Sequence, residues 1–357
     1  MTIIYILYHL WDTLFRRSRT NPFDTATPTL KLQKFSYKEL KSATNQFNAD
    51  NSIGKGGFGT VFRGILRDGK SVAIKKLDAA SSLQAEREFQ SELTILGSIR
   101  SPHVVSLLGY CIEKNKRVLV YEYMPNRSLQ DLLFNDGNLN SGCMNWEKRF
   151  QVIQDVVMAL EFLHNECDPP VIHGDIKPSN VLLDWDFKAK ISDFGLSRVK
   201  VDRDLSSTTS MRGTLCYIAP EFGGCGYLME KGDIYSLGVL ILVIVSGRRP
   251  LHVLNSPMKF EKANLISWSR QLAQAGNILE LVDEKLKDAY NKEQVTLCIN
   301  LALACLQRLP ELRPDIGDIV KILRGEMDLL PLTFEFSPSP PSRFYSRSRR
   351  KHSEQSL

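Results

Sequence analysis

Residues 53–77 read IGKGGFGTVFRGILRDGKSVAIKKL. Glycines stand at 54, 56, 57 and 59, and the residues immediately after them decide the fold. A glycine cluster lets a ligand approach the backbone without meeting a Cβ, which suits a phosphate cradle. The spacing Gly54-x-Gly56-x-x-Gly59 also opens the βαβ unit of dinucleotide-binding folds, but there a helix comes at once. Here the chain continues as the alternating run VFRGIL, turns at Asp68-Gly69 and returns as KSVAIKKL. Asp-Gly between two alternating runs is a strong hairpin signal, so the stretch reads as strand, turn, strand. By itself it fits equally a glycine-rich hairpin that binds nothing.

The neighbours of the hairpin narrow the choice. Lys75 lies in an apolar strand, where an unpaired ammonium is costly, so it needs an anionic partner. Residues 83–98 (LQAEREFQSELTILGS) carry Phe89, Leu93 and Leu96 at helical spacing. Glu92 on this helix is the expected partner of Lys75, with Glu88, one turn earlier on the same face, as the alternative. Lys76 is expected on the opposite face of the strand. Two more strands are expected over 104–112 and 117–124, ending at Pro125. Beyond it the pattern turns helical, with an apolar stripe of Phe150, Ile153, Val157, Leu160 and Leu163 over 146–165. Residues 231–247 contain LGVLILVIV, a nine-residue run without charge. That is too short to span a bilayer and reads as the buried central helix of a helical half. Further helices are expected near 260–275, 291–307 and 314–329. A small strand-rich half with one helix thus precedes a larger helical half, an α+β arrangement whose cleft suits a ligand.

The second set of chemically suggestive residues is HGDIKPSN, 173–180, with Asp193-Phe194-Gly195 downstream. Transfer of a γ-phosphoryl group needs positioning and charge neutralisation more than covalent chemistry. Asp175 can accept or orient the attacking hydroxyl, and Lys177 can neutralise the transferring group. Asn180 and Asp193 are hard oxygen ligands of the kind Mg²⁺ takes. Each could be an ordinary loop residue; together, behind a glycine hairpin and a strand lysine, they point to phosphoryl transfer.

Over roughly residues 47–329 the chain resembles eukaryotic protein kinases. Ala219-Pro-Glu221 resembles the close of the activation segment, and Arg313 in LRPD the family's partner of Glu221. The resemblance implies a bilobal fold with an N-lobe over 47–124 and a C-lobe over 125–330. It also implies ATP and Mg²⁺ as cofactors and protein substrates phosphorylated on serine or threonine. Lys177 and Gly213-Thr214 resemble the serine/threonine class, which would put Thr214 near the substrate hydroxyl. On this resemblance Asp175, Lys177, Lys75 and Glu92 are catalytic. Ile53, Gly54, Gly56, Gly59, Val61, Ala73, Lys75, Glu122, Met124 and Leu182 bind the nucleotide, and Asn180 and Asp193 bind metal. Glu122 and Met124 would offer backbone groups to adenine, Tyr121 would guard the back of the pocket, and Val61, Ala73 and Leu182 would sandwich the ring. The stretches FSYKELKSATNQF, SLLGYC, LVYEYM and WEKRFQVIQDVVMALEFLH resemble plant receptor-like kinases more narrowly. This implies a membrane receptor kinase or co-receptor as partner and a place at the cytoplasmic face of the plasma membrane, or else in the cytoplasm. A pseudokinase scaffold is the competing reading.

Gly174 stands where many kinases carry an arginine that pairs with a phosphorylated activation segment. A glycine cannot make that contact, whereas the role of Asp175 does not depend on it. The expectation is an active enzyme of the non-RD type, whose cluster Ser206-Ser207-Thr208-Thr209-Ser210 is not needed for most of its activity.

Charge and cysteine usage exclude other classes. Of the net charge of +6, residues 1–34 carry +3 and residues 331–357 carry +3, leaving a neutral body. A nucleic-acid-binding fold would carry its basic charge on the folded face. The seven cysteines form no CxxC pair, which suits reduced thiols rather than a zinc site or a disulfide framework. Cys298 and Cys305 are expected as small core residues on one helix face. Residues 1–34 read as an apolar, then basic segment and linker, and 35–46 as a juxta-kinase segment. The apolar stretch MTIIYILYHLWDTLF is short for a span; residues 1–20 contact a membrane peripherally or form a locally packed helix. Residues 331–357, basic and rich in serine and proline, read as a disordered tail.

Overall fold

The computed structural model describes residues 32–56, 59–77, 83–134, 144–200, 214, 216–223, 230–251 and 264–329. In chain order these comprise β1 (Gln33–Lys34), α1 (Tyr37–Ala43), β2 (Ser52–Gly56), β3 (Gly59–Ile65), β4 (Ser71–Leu77) and α2 (Leu83–Ser98). Next come β5 (Leu107–Glu113), β6 (Lys116–Glu122), α3 (Leu129–Phe134), α4 (Trp146–Glu161), β7 (Val171–Ile172), β8 (Val181–Leu183), β9 (Ala189–Ile191) and β10 (Arg198–Val199). The chain then continues as α5 (Glu230–Ser246), α6 (Leu265–Gln274), α7 (Lys292–Cys305) and α8 (Ile316–Leu323).

Strands β1 to β6 form one sheet in the order β1-β5-β6-β4-β3-β2. The hairpin expected at Asp68-Gly69 joins β3 to β4 in register, with Val61 opposite Lys75 and Arg63 opposite Ala73. Side chains alternate across each strand, so the sheet has two apolar faces with different coverings. On one face Val72, Ile74, Val118, Val120 and Cys111 pack with Phe35 and Leu40. On the other, Leu77, Leu119 and Tyr121 join Phe89, Leu93 and Leu96 of α2.

Phe35 and Leu40 come from the stretch ahead of the glycine hairpin. β1 pairs in parallel with β5, and Gly109 permits the approach: a Cβ there would lie 2.1 Å from the Gln33 carbonyl oxygen. Helix α1 starts with a capping box, in which the Glu39 N–H donates to Ser36 Oγ (3.2 Å) and the Ser36 N–H to Glu39 Oε2 (2.9 Å). Residues 33–47 thereby add a strand and a capped helix to the sheet.

Helix α5 is the centre of the helical half, with Leu237 and Val239 through Val245 fully buried. It packs on α7, where Gly238 leaves room: a Cβ there would come within 2.9 Å of the Ala302 carbonyl oxygen and Cys305 Cβ. Cys298 and Cys305 are both buried, and burial pushes their thiols up to about 12, which makes them packing residues rather than nucleophiles. Where the expected boundaries shift, a local cause is visible. The strand expected from 104 begins at Leu107, because the Val105 N–H donates to the Ile191 carbonyl of β9 (2.9 Å) and Val104 bridges the same residue. The helix expected to 329 ends at Leu323, with Gly325 at φ +73°, the left-handed conformation that closes helices.

Candidate active site

Strand β4 delivers Lys75 to the face covered by α2. Its ammonium meets the Glu92 carboxylate directly and lies 3.0 Å from Asp193 Oδ1. Glu88, the alternative, accepts from Gln84 Nε2 (2.6 Å) and lies against Gly195. Lys76 projects to the other face, over the Phe47 ring at 5.2 Å. Burial would lower the Lys75 pKa, but the two carboxylates outweigh it and hold the ammonium above its ordinary value. Asp193 gains in return: although burial opposes ionisation, Lys75 keeps its carboxyl below the usual range. Burial pushes Glu92 up despite Lys75. The other oxygen of Glu92 accepts from the Tyr121 hydroxyl, a bond for which the sequence held no signal.

The loop 173–180 is held from below by α5. Asp233, 1 % exposed, accepts the His173 N–H at Oδ2 and the Gly174 N–H at Oδ1, both at 2.8 Å, and His164 Nε2 lies 2.9 Å from Oδ2. Burial works against its ionisation, but His164 and the Gly174 amide hold its carboxyl below the usual range. Gly174 has φ +77°, in the left-handed region that favours glycine. The missing side chain is thus also a backbone accommodation: the turn that aims two amides at Asp233 holds a conformation that glycine adopts without the cost a Cβ brings. Gly174→Ala is expected to cost about 1–2 kcal/mol, read by denaturant unfolding.

Above this turn, Asp175 Oδ2 accepts from Lys177 Nζ (2.6 Å) and Asn180 Nδ2 (3.0 Å). Asn180 Nδ2 also donates to the Asp175 carbonyl (2.9 Å), and Lys177 Nζ reaches Thr214 Oγ1 (2.9 Å). Among the described residues Asp175 Oδ1 is buried without a hydrogen-bond partner. Both amide protons of Asn180 are directed at Asp175, which leaves its Oδ1 as an acceptor. The Ser192 N–H donates to the Asn180 carbonyl (2.8 Å), bringing the residue before Asp193 alongside. The chain therefore gathers an amide oxygen and a carboxylate, a donor set that fits a hard divalent cation.

Comparison with known proteins matches this arrangement to one family. The protein kinase domain model covers residues 47–322. The chain belongs to the protein kinase family. A receptor-like protein kinase of Arabidopsis thaliana is 38 % identical over 659 aligned positions, taking in 98 % of this chain and 95 % of that protein. Those positions outnumber the 357 residues here, so the alignment includes long stretches of the relative without a counterpart. The proline-rich receptor-like protein kinase PERK2 of the same plant is 39 % identical over 85 % of this chain and 42 % of its own length. An LRR receptor-like serine/threonine-protein kinase, again of Arabidopsis thaliana, is 40 % identical over 83 % of this chain and 28 % of its own length. The chain thus spans less than half the length of the latter two. Family membership carries ATP and a divalent metal as ligands in general.

The remaining expected site residues of the kinase fall along the sheet and β8. Val61, Ala73 and Leu182 are half-buried, and Ile53 is 48 % exposed. The strand neighbours of Val61, Ala73 and Leu182, namely Phe62, Val72, Ile74, Val181 and Leu183, are buried, and Ala73 and Leu182 themselves pack at the edge of the core. A Cβ at Gly54 or Gly56 would meet nothing closer than 3.9 Å, whereas at Gly59 it would lie 2.4 Å from the Lys76 carbonyl oxygen. Gly59 is required by the sheet, whereas among the described residues packing sets no such demand at 54 and 56. Glu122 lies at the end of β6, where its N–H donates to the Ser106 carbonyl (3.0 Å). Its carboxylate is gripped by Lys190 of β9 at 2.9 and 2.8 Å, a tie from β6 to β9 that the sequence did not disclose. Met124 is buried two residues on. Arg313 and Glu221 meet as a bidentate pair at 2.6 and 2.7 Å. A second buried pair, Arg149 with Asp283 at 2.6 Å, had no sequence signal. The cluster at 206–210 lies outside the described residues.

Proposed function

We infer that the protein is an ATP-dependent serine/threonine protein kinase in plant receptor-linked signalling. The observation that carries this is the state of Asp175: one carboxylate oxygen is bound by Lys177 and Asn180, and the other is buried with no partner among the described residues. A buried acceptor left unsatisfied in a native site calls for an explanation, and a substrate hydroxyl supplies it. In the proposed reaction Asp175 takes the hydroxyl proton as the oxygen forms its bond to the γ-phosphorus. The bond from that phosphorus to the β–γ bridging oxygen breaks, and ADP leaves. Lys75, held by Glu92, positions the nucleotide phosphates, and Lys177 spans Asp175 and Thr214 beside the attacked group. Ile53, Gly54, Gly56, Gly59, Val61, Ala73 and Leu182 enclose the nucleotide, with Glu122 and Met124 offering backbone groups to adenine. Asn180 and Asp193 would hold Mg²⁺, which would neutralise phosphate charge when bound. The lobes are assigned to 47–124 and 125–330, after a juxta-kinase segment over 35–46; of the 1–34 linker segment only residues 32–34, and of the 331–357 tail none, are among the described residues.

The test is transfer of label from γ-labelled ATP to a generic protein acceptor, with phosphoamino-acid analysis of the product. Label on serine or threonine is the expected result; no transfer, the outcome for a pseudokinase scaffold, or label on tyrosine alone overturns the reading. Replacing Ser206, Ser207, Thr208, Thr209 and Ser210 together by alanine is expected to leave most of the activity, because Gly174 offers no side chain to a phosphate there. A loss of about 100-fold, or about 2.7 kcal/mol, would overturn that expectation. Among the described residues no helix is long and apolar enough to cross a membrane. The names of the relatives support a receptor kinase as partner and a place at the cytoplasmic face of the plasma membrane, with residues 1–20 as peripheral contact. Fractionation with and without those residues tests this.

A further inference from the structure

Position 174 has no side chain with which to hold the activation segment, yet Lys75, Glu92 and Asp193 are assembled. Lys75 bridges the helix carrying Glu92 and the segment carrying Asp193 through its ammonium, and a second, uncharged connection runs beside it. The residue before Glu92 is Ser91. Its hydroxyl lies 2.9 Å from the carbonyl oxygen of Phe194 and 2.9 Å from that of Ser197, so a single proton is shared between two acceptors on one turn. That turn is closed by the Ser197 N–H, which donates to the same Phe194 carbonyl (3.1 Å). Ser197, itself buried, donates its hydroxyl to the His173 carbonyl at 2.8 Å. From His173 the connection continues to Asp233 through the backbone N–H. The packing leaves this turn little freedom, since a Cβ at Gly195 would lie 3.1 Å from Glu88 Cβ, one turn below Glu92 on α2. The Phe194 ring is fully buried against His173, edge to face at 4.8 Å.

We propose that Ser91 is a positioning residue for phosphoryl transfer, and that Ser91 and Ser197 together form an uncharged latch joining helix α2, the Asp193 turn and the loop of Asp175. The proposal rests on the kinase reading above. Ser91 and Ser197 touch neither the nucleotide nor the substrate hydroxyl; they act through Glu92, Asp193 and Asp175. The hydroxyls need no modification to make these bonds, so the latch is set as soon as the chain folds. It accounts physically for an assembled site in a chain whose residue 174 cannot bind phosphate.

The latch is tested with Ser91→Ala, Ser91→Thr, Ser197→Ala and the double variant S91A/S197A, each beside the wild-type chain. Removing one uncharged hydrogen bond is expected to lower kcat about three- to tenfold, with KM for ATP changed less than about twofold. Ser91→Thr, which keeps the hydroxyl, is expected to restore kcat. The double variant is expected to lose little more than the worse single one, because both hydroxyls serve one connection. A purely structural role would instead lower the melting temperature and kcat together and leave KM and kcat unsplit. Hydrogen exchange gives a readout that needs no turnover: amides of residues 83–98 and 192–198 are expected to exchange faster in Ser91→Ala than in Ser91→Thr. Wild-type kcat in Ser91→Ala, a loss that threonine does not restore, or unchanged exchange in these two segments overturns the proposal. Label transfer by the wild type with an indifferent Ser91→Ala variant sinks the latch alone. Absence of transfer by the wild type sinks the kinase reading, and the exchange comparison still decides the latch.

Discussion

Asp175→Asn is expected to lower kcat about 10³-fold, roughly 4 kcal/mol of transition-state stabilisation, while KM for ATP stays within about threefold. The side chains differ little in volume, so the loop should keep its course; what changes is chemistry. A carboxylate accepts at both oxygens, whereas an amide accepts at one and donates at the other. Asp175 Oδ2 is already committed to Lys177 and Asn180. If the amide oxygen keeps those two bonds, an N–H₂ group takes the place of Oδ1 and would meet a substrate hydroxyl as a donor, unable to take its proton. If the amide flips, Lys177 and Asn180 face a donor and the loop loses its internal bonds. The proposed nucleotide contacts lie on β2, β3, β4, β6 and β8 and at Met124, not on Asp175, which is why KM should hardly move. Label transfer over a range of ATP concentrations separates the two quantities, and a loss below about tenfold would assign the base elsewhere.

Arg313→Leu is expected to destabilise the chain by about 3–5 kcal/mol, the usual cost of leaving one member of a buried ion pair without the other. The Arg313 side chain is 0 % exposed and bidentate on Glu221. Its guanidinium also donates to the carbonyls of Gln307 (2.8 Å), Lys231 (2.8 Å) and Arg308 (3.2 Å), so one residue satisfies four separate groups. Leucine fills part of the volume and none of those bonds. Lysine keeps the charge but not the planar fork, so Arg313→Lys should fall between leucine and wild type. At roughly 2–4 °C per kcal/mol for a domain of this size, the leucine variant should melt about 6–20 °C lower. An equal melting temperature for the leucine and wild-type chains would show that Glu221 is held by other means. If Glu221 closes the activation segment, as its resemblance implies, activity falls with stability here, in contrast to the split expected at Ser91.

The two predictions differ in how far the sequence alone supports them. Asp175, Lys177 and Asn180 are five residues apart at most, so their grouping is local and readable in HGDIKPSN. The glycine hairpin, Lys75 on its strand and the helix over 83–98 are likewise expressed by alternation, a turn dipeptide and helical spacing, all short-range signals. The choice of Glu92 over Glu88 was framed by periodicity, but only the packing of α2 on the sheet shows which carboxylate meets Lys75. Helix α1 shows in the sequence only through the capping box in SYKE, because a seven-residue helix is marginal until its apolar side finds a partner. That partner is the sheet face built by Val72, Ile74 and Val118. Arg149 with Asp283, Lys190 with Glu122 and Tyr121 with Glu92 are pairs distant in sequence, and no local rule couples their members.

By itself, then, the sequence determined the order of elements, the α+β class and the identity of the residues offered for chemistry, because those arise from periodicity and short-range spacing. Only the tertiary structure decided which oxygen of Asp175 is left without a partner among the described residues, which carboxylates meet Lys75 and what backbone conformation residue 174 holds. At that position the sequence shows only an arginine withheld. The fold adds a positive φ, imposed because two successive amides must both reach Asp233, some sixty residues away along the chain. Such a demand arises from backbone geometry in three dimensions, and no pattern of neighbouring residues expresses it.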